Sequence, residues 1–174
     1  MKASRALLLI VILIVVAAGA WYVLRHHGPG ASGGNLTVYY TKLDGTSLGT
    51  WTVSLRAPQP GESSTEHLHN VALYGAVQSV AGPPSEVQAV RFPPGTHVLN
   101  VLVNGTTATV DLSKEVTASG GGSFAENGEF KGLVYTLTGI PPINAVQITI
   151  EGRKVDTLPG GHLELDTPLR RSDW

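Results

Sequence analysis

The chain has 174 residues, a formal net charge of −1 and no cysteine. That length holds one ordinary domain with an appendage, and the charge leaves no electrostatic footprint for nucleic acid. The missing thiols exclude disulfides, thiolate metal sites, a cysteine nucleophile and a lipid-modified cysteine.

The N-terminus "MKASR" precedes an uncharged run from Ala6 to Leu24. At about 1.5 Å per residue such a run crosses a hydrocarbon core of ~30 Å. Lys2 and Arg5 stand before it and Arg25 after it, and the positive-inside bias keeps the N-terminus in the cytoplasm and the rest outside. Trp21 and Tyr22 occupy the interfacial level. The small residues Ala18–Ala20 also fit a cleavage site. Residues 1–24 therefore read either as a retained single-pass anchor or as a signal peptide cleaved after Ala20, and both place the remainder outside the cytoplasmic membrane. Residues 25–35, rich in glycine, form a spacer. The folded region is expected over 36–169, with a frayed tail over 170–174.

"LTVYYTKL" and "TWTVSLRAP" read as two strands of β-branched and aromatic residues joined by the turn "DGTSLG". A helix follows. Ser63 caps it with Glu66 three residues on, and apolar residues recur at Leu68, Val71, Ala72, Leu73, Ala76, Val77 and Val80. Gly82 and Pro83–Pro84 stop it. "FPPGTHVLNVLVNGTTATVDLS" is a hairpin around the Asn104-Gly105 turn. A type I′ turn there opposes Val101 to Ala108, Leu99 to Val110 and His97 to Leu112. Its inner face is then Leu99, Val101, Val103, Ala108, Val110 and Leu112. Its outward face carries Val98, Asn100, Leu102, Thr107, Thr109 and Asp111.

A second helix starts at Ser123, a candidate N-cap with Glu126 three residues on. Phe130, Leu133, Val134 and Leu137 keep i, i+3, i+4, i+7 spacing. Gly128 and Gly132 either weaken it by about 1 kcal/mol each or permit close packing on a sheet. Gly139 and Pro141–Pro142 end it. "NAVQITIEGRKV" is a strand into a Glu151-Gly152 turn, and "GHLELDTPL" a last short strand. Each helix is followed by glycine, a proline pair and a strand with the kernel "AV" ("VQAVRF", "NAVQITI"). The order β-β-α-β-β-α-β-β predicts a single α+β domain, one mixed or antiparallel sheet with two helices on one face.

Candidate chemistry is sparse. His67 and His69 in "EHLH" are two apart and point to different sides of a helix, whereas a metal pair needs i, i+4 spacing; they read as solvated first-turn residues. His97 and Asp111 fall on opposite faces of the hairpin, so Asp111 reads as closing the strand and tying the "DLSKE" turn. Glu164 and Asp166 alternate with Leu163 and Leu165 as a solvent face. "GGGS" before a helix is an anion-site pattern without a phosphate-binding lysine. No catalytic, metal or cofactor site is expected.

Several segments resemble the GerMN domain family: "AGPPSEVQAVRFPPGTHVLNVLVNGTTATVDLSKEV", "GGGS" before a helix, "LVYTLTGIPPINAVQITIEGRKVDTL" and "GGHLELDTPL". The match spans roughly residues 36–169. The resemblance implies a fold similar to ring-building motifs. It also implies a non-catalytic module of the bacterial envelope, tied to sporulation, germination or the cell envelope. Its partners would be cell-envelope proteins or further copies of itself, with the membrane reached through the N-terminal helix and no nucleic acid. The alternative function is a peptidoglycan-associated enzyme or a small-ligand-binding envelope domain. The interaction surface expected on the hairpin is its outward row, Asn100, Leu102, Thr107 and Thr109.

Overall fold

The computed structural model describes residues 32–118, 122–159 and 161–174. The predicted span Ala6–Leu24 lies outside them. Among the described residues no helix is long and apolar enough to cross a membrane.

The first two strands are β1 (Ser32–Thr41) and β2 (Leu48–Arg56). Asp44 builds the turn between them: its Oδ1 accepts the N–H groups of Thr46 at 2.9 Å and Ser47 at 2.8 Å. Side-chain and backbone bonds from Ser47, then the Thr46 N–H, hold this carboxyl down at about 2. Helix α1 (Ser64–Ala81) begins where expected, with Ser63 Oγ accepting the Glu66 N–H at 3.1 Å. It ends at Gly82, whose φ of 76° is the left-handed region open to glycine. Strands β3 (Val98–Asn104) and β4 (Thr107–Leu112) form the next hairpin. A 3-10 turn (Lys114–Ala118) and helix α2 (Gly122–Leu137) lead to β5 (Ala145–Ile150) and the short β6 (Arg153–Lys154).

These strands form two sheets where the sequence reading expects one. β1 and β2 pair with each other, and β3-β4-β5-β6 make a second sheet in that order. β3–β4 and β5–β6 are antiparallel, whereas β4–β5 is parallel. A parallel neighbour needs a long crossover, and α2 is that crossover. Helix α1 packs on β3 and on α2, and α2 packs on β5. Phe130, Leu133, Val134 and Leu137 of α2 are all fully buried among Val101, Val110, Val146 and Ile148 of the sheet. The buried face of α1 is made of smaller residues than the broad apolar stripe predicts: Ala72, Gly75, Ala76, Ser79 and Val80, with Val77 and Tyr74 exposed.

The β1–β2 pair is held to α2 by side chains in place of a shared ladder. Tyr39 N–H donates to Thr136 Oγ1 at 2.9 Å, and Thr41 Oγ1 donates to the Gly128 carbonyl at 2.9 Å. Gly132 suits this close contact, because a Cβ there would lie 3.0 Å from the Tyr39 carbonyl oxygen. Gly132 thus shows the close packing on a sheet read for the helix glycines, whereas Gly128 packs against the side chain of Val90, outside any strand.

Five local expectations are corrected. The hairpin loop is Gly105-Thr106, since Asn104 pairs with Thr107, Val103 with Ala108 and Val101 with Val110. Positive φ falls on Gly105, the first central residue, as a type II′ turn requires and a type I′ turn, with both positive, does not. The pairing moves by two residues, which preserves the faces. A bulge between Val98 and Asn100 then places Val98, not Leu99, opposite Leu112. Leu99, expected in the core, is 52% exposed. Second, "VQAVRF" forms no strand: it is tied to the end of β1 by Val90 N–H to Thr41 O and to the next residue by a single bridge, Lys42–Ala89. Third, "GHLELDTPL" forms no strand either. Leu169 alone bridges to Val146, and the segment is fixed by burial of Leu165 and by Gln147 Nε2 donating to its carbonyl at 2.7 Å. Fourth, residues 170–174 are not frayed. Arg171–Asp173 form a 3-10 turn, Arg171 stacks over the Tyr135 ring at 4.9 Å, and Trp174 packs against the core. The second helix also starts at Gly122, which puts Ser123 inside its first turn and not at the cap.

Candidate functional site

The predicted outward row is only partly open. Leu102 is 57% exposed and Asn100 is exposed, but Thr107 and Thr109 are half-buried. β4 is an inner strand of the sheet, flanked by β3 and β5, whereas β3 is an edge. The exposed part of the row is therefore β3 itself, to which the bulge adds Leu99. Asn100 Oδ1 accepts the Val101 N–H at 2.9 Å, which occupies one of the edge's backbone donors.

The titratable residues singled out in the sequence do not come together. His97 is engaged through its backbone, its N–H donating to Ser113 Oγ at 3.0 Å and its carbonyl accepting the Ser113 N–H at 2.9 Å. Asp111 closes a different turn from the one expected. Its Oδ1 accepts Thr149 Oγ1 at 2.8 Å and the Gly152 N–H at 2.7 Å, so it ties β4 to the β5–β6 turn. Glu115, in "DLSKE", has its carboxyl held below the usual range chiefly by the Ser113 hydroxyl. Glu164 and Asp166 are exposed on either side of buried Leu165. Among the described residues, no three His, Asp or Glu side chains are placed to share a metal ion.

One polar cluster was not foreseen as a site. It is centred on Glu62, which sits just before the cap of α1 and whose side chain is only 4% exposed. Its Oε2 accepts the Gln59 N–H at 2.7 Å and lies 3.5 Å from His67 Nδ1. Its Oε1 accepts Asn70 Nδ2 at 2.7 Å and lies 3.6 Å from the Arg56 guanidinium. The Gln59 N–H and the Asn70 amide, followed by the His67 and Arg56 charges, hold the Glu62 carboxyl below its ordinary range against the opposing effect of burial. His67 Nδ1 is buried and accepts or donates no hydrogen bond among the described residues.

This cluster lines two adjoining clefts. One, of about 330 Å3, runs between Leu55 and Arg56 of β2 and His67, Asn70, Val71 and Tyr74 of α1. The other, of about 510 Å3, shares Leu55, His67 and Val71 and continues to Pro141 and Pro142. The α1 residues are spaced i, i+3, i+4, i+7, a single stripe of the helix. That spacing was readable in the sequence. The sequence reading places His67 in solvent, because the partner that buries it lies before the helix and the wall that faces it lies on β2.

A family model described as "Germane: Sporulation and spore germination" matches residues 37–156. No curated protein matches the chain. Among solved structures, the tandem GerMN domains of the sporulation protein GerM from Bacillus subtilis are similar at 23% identity and a TM-score of 0.61. That match covers 82% of this chain and 48% of that one, so this chain spans about half of the tandem protein. A putative lipoprotein from Clostridium perfringens is similar at 22% identity and a TM-score of 0.56, over 80% of this chain and 88% of the other. The first GerMN domain of the same Bacillus subtilis protein is similar at 24% identity and a TM-score of 0.54, over 80% and 98%. At these identities the structural likenesses carry the fold.

Proposed function

The chain belongs to the Germane family of sporulation and spore germination, and on that premise we propose that it is a membrane-tethered, extracytoplasmic contact module without catalytic activity. It binds cell-envelope partners or further copies of itself. The observation that carries the contact role is the pair of leucines on the free edge strand β3, Leu99 and Leu102, 52% and 57% exposed. A bulge that turns one leucine out of the core, next to a second already facing out, puts apolar surface where a partner can cover it.

The non-catalytic reading is supported by how the polar groups are used. Asp111 binds Thr149 and Gly152, His97 is tied to Ser113 through its backbone, and both interactions fasten chain segments. General acid–base work needs such groups converging on one reacting atom. The tether is supported by the uncharged run Ala6–Leu24 and its flanking Lys2, Arg5 and Arg25.

The test is to express the full chain in a bacterium and fractionate the envelope. The proposal expects the protein in the membrane fraction after alkaline washing, with its C-terminal part accessible from outside. It also expects an envelope complex on native gels that the double variant Leu99→Asp, Leu102→Asp loses. A freely soluble protein contradicts the tether, and an unchanged complex contradicts the β3 contact.

A further inference from the structure

The two sheets of this domain have differently treated edges. β3 is blunted: it carries a bulge, and the Asn100 side chain takes the Val101 N–H, two devices that discourage addition of another strand. β2 has neither. It pairs only with β1, and among the described residues no β2 backbone group bonds to any other element. The other edge of the pair, along β1, is occupied by bonds to Thr136, Ala89 and Val90. The last three residues of β2, Ser54, Leu55 and Arg56, line the cleft whose far wall is the His67, Asn70, Val71 and Tyr74 stripe of α1. A free strand edge facing a helix across a half-apolar groove is the geometry for adding an extended peptide as a further strand. The backbone edge supplies the ladder, and the groove takes alternate side chains.

Charge selects the occupant. Glu62 is wrapped by Gln59, Asn70, His67 and Arg56, and its side chain is 4% exposed. The Arg56 side chain, by contrast, is 61% exposed and is positioned at the end of β2 by that same carboxylate. The groove therefore presents a cation, a histidine and an amide above a floor of Leu55 and Val71.

We propose that the groove between β2 and α1 binds an extended peptide segment of a partner protein by strand addition. Apolar side chains of the segment sit on Leu55, Val71 and Tyr74, and an acidic side chain meets Arg56. This rests on the contact-module reading and adds to it a second surface with a defined class of partner.

The experiment is selection of a random twelve-residue library, displayed on phage with no free C-terminus, against the immobilised full chain. The expected result is enrichment of peptides that alternate apolar residues and carry aspartate or glutamate. Synthetic copies of them should bind Arg56→Glu and Tyr74→Lys at least tenfold more weakly, with Leu102→Asp unchanged. Circular dichroism of each variant separates lost binding from lost fold, and if Tyr74→Lys unfolds, the exposed Arg56 variant decides alone. Absence of enrichment overturns the proposal. Peptides that ignore Arg56 also overturn it. Peptides that lose binding only in Leu102→Asp place the contact on β3, which overturns the groove while leaving the contact-module function standing.

Discussion

Thr136 sits 97 residues after Tyr39 in the chain and accepts its backbone N–H at 2.9 Å, while its own hydroxyl donates to the Gly132 carbonyl at 2.8 Å. One fully buried hydroxyl thus joins the two sheets of the domain through α2. Thr136→Val keeps the shape and removes both bonds. The Tyr39 N–H then loses its partner, and the cost of such an orphaned donor is about 1–3 kcal/mol. Urea unfolding should show that loss in midpoint with an unchanged slope. An unaltered midpoint would mean that another group satisfies Tyr39.

Asp111 is a fastener between strands. Asp111→Asn keeps an oxygen that can accept from Thr149 and Gly152, and should stay within about 0.5 kcal/mol of the parent chain. Asp111→Ala strands both donors and should cost about 1–2 kcal/mol. The check is thermal unfolding of both variants side by side. Equal loss in the two would show that the charge matters and not the acceptor.

The bulge predicts an asymmetry among neighbouring residues. Leu99→Asp changes an exposed side chain and should cost no more than about 0.5 kcal/mol. Val101→Asp, two residues on, buries a carboxylate with no partner and should leave the chain unfolded, since an unpaired buried charge costs several kcal/mol. Circular dichroism distinguishes the two. If Leu99→Asp also unfolds the chain, the strand is in the register without a bulge.

Acid sensitivity follows from three carboxyls held below their ordinary values, Asp44 at about 2 against 3.8, and Glu62 and Glu115 below 4.5. A carboxyl with a depressed folded pKa contributes its stability above the unfolded pKa and loses it as pH falls through the folded one. The protein should therefore weaken progressively from about pH 4.5 down towards pH 2. Asp44→Asn should flatten the lower part of that curve, as read by urea midpoints across the range. A stability that rises on acidification in that window contradicts the assignment.

What was legible in the sequence was local. The quartet Phe130, Leu133, Val134 and Leu137 needs only helical spacing, and Ser63 and Gly82 mark the ends of α1 by their own chemistry. The long ordered string from Ala81 to Val116 also carried the family. The bulge was not legible, because Val98 and Leu99 are both apolar and either satisfies the pattern. Nor was the division into two sheets, since the pairing of β1 depends on Thr136 and Ala89, far along the chain. "GHLELDTPL" alternates like a strand, but its order comes from burial of Leu165 and from one carbonyl bonded to Gln147. The groove escaped for a related reason. Arg56, Glu62, His67 and Asn70 lie within one short stretch, yet only the fold turns β2 against α1 and closes Glu62 off from water.

The central claim is that the domain works by contact, through the apolar edge at Leu102. A photo-crosslinking amino acid placed at Leu102 of the full chain in living cells tests it most directly, with the exposed position Glu86 as control. The account predicts a discrete adduct from Leu102, either to an envelope protein or to a second copy of the chain, and none of matching intensity from Glu86. Illumination that yields no adduct at Leu102, or the same diffuse products from both positions, contradicts it.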